Sequence, residues 1–256
     1  MIRAAVLGAS LLVATHAGAQ AEKELRPLSP DRPDITESPY TVDRGHFQIE
    51  VDLARYTREG DDGEWSLGQL NLKYGVLDQV DVQLVVQSVA GAPTEEGHDF
   101  GFGDTALRVK INLFGNDSGP TALALMPWIG APTGAARGSE AVEGGLIVPL
   151  ALELPLDFSA GLMVQGDVLN DELDDDYHFE LVTTQALGHQ VVGDLGAFFE
   201  AVQVYSTEPD VGYAVLFDGG ANYLVTEYFQ LDAGAGFGVT DAAPDWFTFG
   251  GGSAKF

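Results

Sequence analysis

A chain of 256 residues with 32 glycines and no cysteine suits one β domain or two small ones, and it excludes disulfides, thiolate catalysis and cysteine-ligated metals. The formal charge of −27, from 39 acidic and 12 basic residues, excludes nucleic acid as a partner, because such binding needs a basic footprint. Beyond the amino terminus there is no run of about 18 apolar residues, which excludes helical membrane spans but not a membrane β-barrel.

The chain opens as an export address. Arg3 precedes a short apolar core over residues 4–14, and Ala17-Gly18-Ala19 is a small-x-small cleavage pattern. A signal peptide over residues 1–19 is expected, with cleavage after Ala21 as the alternative, and with an exported mature protein. Residues 20–43 then carry Pro27, Pro30, Pro33 and Pro39, which forbid a helix or a central strand. They are expected to form an extended periplasmic arm. Its mixed charges, Asp31, Arg32, Asp34 and Glu37, would also suit partners inside a barrel mouth.

From residue 44 to 256 the pattern has period two. Phe47, Ile49, Val51 and Leu53 alternate with Gln48, Glu50 and Asp52, and similar segments follow over 69–76, 80–87, 107–113, 121–131 and 146–154. Six more lie over 158–167, 178–187, 194–201, 213–223, 229–237 and 246–256, which makes twelve. In 121–131 a second apolar set (Ala122, Ala124, Met126, Trp128) blurs the face assignment. Connections after the even-numbered segments are tight. Those after the odd-numbered ones are longer and often acidic, including 59–64, 90–101, 132–144 and 170–176.

An even strand count, alternating loop lengths and a carboxy-terminal aromatic residue predict an all-β fold. That fold is a closed antiparallel transmembrane β-barrel of about 12 strands, with short periplasmic turns and longer extracellular loops. A soluble sandwich has the same alternation. The leader, the terminal aromatic and the aromatics near strand ends (Trp65, Tyr74, Trp128, Tyr177, Phe229, Trp246) favour the membrane. Gly251, Ala254 and Phe256 read as an export-and-assembly signal, which implies the barrel-assembly machinery, the lipid bilayer and lipopolysaccharide as partners in the bacterial outer membrane.

The run Asp31-Arg32-Pro33-Asp34-Ile35-Thr36-Glu37-Ser38-Pro39-Tyr40-Thr41-Val42, followed by Gly45-His46-Phe47-Gln48-Ile49-Glu50, resembles a family of outer-membrane transporters of the MetA pathway of phenol degradation. Residues 101–110, 122–126, Pro132-Thr133-Gly134 and 243–247 are also similar to it. The resemblance implies a barrel that passes small solutes, aromatic or hydrophobic in character, and it implies no catalytic residues or cofactors.

If the apolar sets face lipid, the lumen holds Glu50, Asp52, Asp81, Asp104, Glu153, Asp157, Asp167, Glu180, Asp194, Glu200, Asp218 and Asp232. Against them stand Lys73, Arg108, Lys110 and Lys255. An open pore so lined would favour cations or neutral solutes. The other reading is a salt-bridged plug. Arg108 and Lys110, with Asp104 nearby, would either grip an anionic solute or neutralise acids across the lumen. The same parity turns Phe247 and Phe249 inward as contacts for an aromatic solute. The acidic run 171–176 reads as a solvated loop rather than a Ca²⁺ site. For an outer-membrane hydrolase, His178 with Glu180 is the only acid–base pair in view. It has no nucleophile nearby, and neither Gly-x-Ser-x-Gly nor His-Glu-x-x-His occurs. A soluble periplasmic binding barrel is a further alternative. The prediction is a non-enzymatic channel without cofactor or metal.

Overall fold

A computed structural model describes residues 25–87, 89–94, 97–134, 138–139, 141–170, 176–208 and 211–256. The expected leader lies outside these residues, as does most of the acidic run 171–176. Among the described residues there are fifteen strands and no helix. They are β1 (Phe47–Glu59), β2 (Asp62–Leu67), β3 (Gln69–Leu77), β4 (Val80–Val86), β5 (Val89–Thr94), β6 (Gly97–Phe102), β7 (Thr105–Phe114) and β8 (Thr121–Ala131). Then come β9 (Glu143–Glu153), β10 (Phe158–Asn170), β11 (Tyr177–Val192), β12 (Leu195–Ser206), β13 (Tyr213–Thr226), β14 (Phe229–Gly238) and β15 (Trp246–Lys255).

Twelve of these, β1, β3, β4 and β7 to β15, pair antiparallel in sequence order, and β15 pairs back onto β1. The seam runs from Gln48 opposite Lys255 to Arg58 opposite Trp246, so no edge is left open. These are the twelve strands that the alternation predicts. The other three are continuations beyond one rim. β2 pairs with the end of β1 and with β5, and β5 pairs with β6. Two of the stretches expected as long loops are therefore β-ribbon. Gly68, at φ 76°, makes the break between β2 and β3 in a conformation that other residues rarely adopt.

Alternation sets the two faces of the wall. Phe47, Leu107, Phe199, Tyr223 and Phe237 point outward and are about half exposed, while the neighbours of each point into the barrel. An apolar outer band with nothing packed on it is what a bilayer requires of a barrel. Trp128 departs from the expected aromatic belt. It faces the lumen, where its Nε1 donates to Asp167 at 2.8 Å. The second apolar set of 121–131 explains this, since Ala122, Ala124 and Met126 are all fully buried and β8 turns that face inward.

The largest difference from the sequence reading concerns the arm. Residues 26–43 do not hang below the barrel but make an excursion into its lumen. The chain starts at the short-turn rim, where Arg26 Nη1 donates to the Asp78 carbonyl at 3.1 Å. It reaches mid-barrel at residues 31–37 and returns to the same rim, where Thr41 donates to the Asp78 carbonyl and Arg44 bridges to Gly75. Its prolines keep it extended and out of the sheet, so its polar groups must find partners on the barrel wall.

Candidate functional site

Apart from Asp34, the charged residues of the arm meet opposite charges on one side of the wall. Asp31 lies between Lys73 of β3 and Lys110 of β7, both wholly buried, and Lys73 also pairs with Glu50 of β1. Burial works against an ionised Asp31, but Lys110 and Lys73 overcome it and hold the carboxyl well below its usual range. Arg32 Nη2 donates to Asp232 of β14 at 2.6 Å, and its Nη1 is 3.6 Å from Asp52. The guanidinium lies over Gly251, where any Cβ would collide with it and with the Val51 carbonyl. Glu37 accepts from Arg108 Nη1 at 2.7 Å. At the rim, Asp43 binds both Arg26 and Lys255.

The tip of the arm is held from the opposite wall. Glu200 of β12 accepts the backbone N–H groups of Ile35 and Thr36 at 2.7 and 2.8 Å and the hydroxyl of Thr36. Asp218, its cross-strand neighbour on β13, is buried beside it, and among the described residues no N–H donates to either of its carboxylate oxygens. Asp34 is close enough to feel this pair, and burial followed by the charge of Glu200 pushes its carboxyl well above the usual range. Burial and then the charge of Asp31 likewise raise Glu37 to about 7, although Arg108 opposes the shift.

Above and beside the tip the lumen is apolar. Met126, Ile147, Met163, Val182, Val202, Leu216, Phe247 and Phe249 form one buried cluster, and Ile35 of the arm packs against it. The two phenylalanine rings lie nearly parallel, 6.2 Å apart. They rest on the glycines of β14: a Cβ on Gly236 would strike Phe247, and one on Gly234 would strike Phe249. On their other side the Arg55 guanidinium sits 5.0 and 5.4 Å from the ring centroids. Arg55 reaches this position because β1 has a bulge between Asp52 and Ala54, which shifts the parity of the strand.

The arm divides the lumen. One cavity of about 380 Å³ lies between it and strands β9 to β14, and Glu153, Asp157 and Gln190 line its short-turn end. A second, of about 190 Å³, lies on the other side and is bordered by Arg55, Gln69, Asn71, Arg108 and Phe249. Arg32, Pro33, Asp34 and Glu37 line both, so this piece of the arm is the partition between them.

The other predicted residues fall as follows. Lys110, Arg108, Glu200 and Asp218 all face the lumen around the arm, and Phe247 and Phe249 are 2% and 7% exposed in the cluster. Glu180 is half-buried opposite Asp167, on the long-loop side of the arm. Asp104 is not part of the lining. It lies in the break between β6 and β7, where its carboxylate accepts the N–H groups of Gly134 and Ser139 at 2.7 and 2.6 Å and so ties these two residues together. Glu153, Asp157 and Asp194 are exposed at the short-turn rim, the first two at the end of the larger cavity, rather than deep in the lumen. His178 stands 3.7 Å from Glu208. Gly251 and Ala254 lie in the closing seam opposite Asp52 and Ile49, and Phe256 hydrogen-bonds through its backbone to Phe47.

Sequence reasoning missed Arg55, because strict alternation carries no sign of a bulge. For the arm it offered partners inside a barrel mouth only as the second reading, on the mixture of charges between prolines, and did not foresee how far the arm enters the lumen.

The comparisons bear on the whole barrel. A family model described as MetA-pathway of phenol degradation matches residues 30–256. Among solved structures, an outer membrane channel from Pseudomonas putida F1 is 15% identical with a TM-score of 0.62, covering 89% of this chain and all of that one. The NanC porin is 10% identical with a TM-score of 0.55, covering 81% and 98%. The transport unit of the autotransporter AIDA-I from Escherichia coli is 10% identical with a TM-score of 0.51, covering 82% and 89%. At these identities the likeness is one of fold. Among curated proteins no match is found.

Proposed function

The chain belongs to the family described as MetA-pathway of phenol degradation, and from that premise we propose that it is an outer-membrane channel for small aromatic or hydrophobic solutes, gated by its own 26–43 arm. The observation that carries the reading is the partition. Four arm residues separate two cavities of about 380 and 190 Å³, and moving that one segment would join them. A wall with ion pairs on β1, β3 and β7 and an apolar cluster across β8 to β13 and β15 suits a solute with an apolar body and a polar end.

The lining is acid-rich by residue count. Much of its charge is met by Lys73, Lys110, Arg32 and Arg108, so the expected cation preference rests on fewer free carboxylates. On this reading the short-turn rim faces the periplasm, and the Gly251, Ala254 and Phe256 ending serves the barrel-assembly machinery. The outer band then meets bilayer lipid and lipopolysaccharide.

A sealed structural barrel is the second reading, favoured by the complete burial of Lys110 and Met126 around the arm. Planar-bilayer conductance separates the two. The full chain is expected to open intermittently, and a chain lacking residues 26–41 to conduct steadily. A folded, heat-modifiable deletion variant that stays silent would leave the sealed barrel as the answer.

A further inference from the structure

Arg55 is placed by a bulge, lies against two phenylalanine rings, and has little else to hold. Its one ion pair among the described residues is Nε to Asp52 at 3.7 Å, longer than a hydrogen bond. Its side chain keeps about a third of its exposure and borders the smaller cavity. A guanidinium backed on one side by aromatic rings presents its forked N–H donors and its other face to whatever enters. Such a guanidinium can match a planar carboxylate bidentately along its edge while aromatic rings hold its face.

The charges around this cavity leave room for an anion. Asp31 and Glu50 are held by lysines, Asp52 is shared between Arg32 and Arg55, and Glu37 is bound by Arg108. Burial and then its acidic neighbours push the Asp34 carboxyl well above the usual range, which weakens its charge. Arg108 adds a further donor, since its Nε is buried with no partner among the described residues. The volume of about 190 Å³ admits a single ring and little more.

We propose that this cavity is a binding subsite for a one-ring aromatic carboxylate, with Arg55 gripping the carboxylate through its planar fork, Phe249 meeting the ring, and Arg108 assisting. The proposal rests on the lumen being a solute path, and it names the class of solute.

Two measurements on the full chain separate the subsite from the channel. Calorimetric titration of detergent-purified protein with benzoate, cyclohexanecarboxylate and benzyl alcohol reads binding. Entry of the same probes into proteoliposomes reads passage. The wild type is expected to bind benzoate more tightly than either control. Arg55→Ala should weaken benzoate at least tenfold and benzyl alcohol less than twofold, and Arg55→Lys should recover part of the loss. Heat-modifiable mobility checks that both variants are folded.

Binding that depends on Arg55 without passage of any probe would uphold the subsite and refute the channel. Passage of benzyl alcohol without benzoate binding would refute the subsite and uphold the channel. An equal loss of benzoate and benzyl alcohol in Arg55→Ala would also overturn the proposal, because it would show a general packing role.

Discussion

Replacing Asp31 by Asn keeps the volume of the side chain and removes the charge that holds two buried lysines. Lys73 retains Glu50, whereas Lys110 loses its only carboxylate within ion-pair distance among the described residues. Stripping one partner from a buried ion pair costs about 3–5 kcal/mol. The lower end applies here, because Asn still offers a carbonyl and an expelled arm would let water reach Lys110. About 3 kcal/mol is roughly a hundredfold change in an equilibrium, and it should fall on the docked state of the arm. The chain has no cysteine, so Ser38→Cys gives a single reporter on the arm. Its maleimide labelling rate in native protein should rise by about two orders of magnitude on adding Asp31→Asn, with a parallel rise in bilayer conductance. Unchanged labelling in a folded double variant would refute the view that the Asp31 cluster anchors the arm.

Further outcomes follow from the same contacts. Docking raises Glu37 from an ordinary 4.5 to about 7 and raises Asp34 as well, so the docked arm binds more protons than the free one. Docking should therefore weaken as pH rises from about 4.5 through 7, by on the order of 3 kcal/mol from Glu37. Conductance should climb between pH 5 and 8, and Glu37→Gln should flatten the climb. Gly236→Ala should push Phe247 off its seat and cost about 1–3 kcal/mol by overpacking, seen as a lower midpoint of heat modification. Glu200→Ala should free the arm tip by removing its backbone acceptors, at about 1.5–3 kcal/mol for each charge-assisted bond, and Ser38→Cys labelling should again accelerate.

The barrel was legible because its physics is local. A strand with lipid on one side and lumen on the other must alternate, and Phe47 to Leu53 or Phe229 to Phe237 display that alternation without any tertiary knowledge. Phe247 and Phe249 could be turned inward for the same reason, by counting from Trp246. Where parity breaks, sequence reading fails: the bulge after Asp52 carries Arg55 into the lumen, and no residue in the stretch announces it. Trp128 was misread because β8 is apolar on both faces, so composition could not tell a membrane belt from an interior contact. The arm was harder still. Its prolines said what it is not, but its destination depends on Lys73, Lys110, Glu200 and Asp232, which are 42 to 200 residues away along the chain. Asp104 looked like lining by its spacing from Arg108, yet two loop amides took its carboxylate.

The neck of the arm has a consequence for assembly. Arg26 and Asp43 are joined by a 2.9 Å ion pair at a separation of 17 residues, so the segment leaves and re-enters through the same opening. It is a stopper on a tether rather than a thread through a needle. Nothing topological links it to the ring, and the β1–β15 seam need not part for it to come or go. The cylinder can be sealed first and corked afterwards, and the entropy of closing so short a tether is small beside the ion pairs waiting inside.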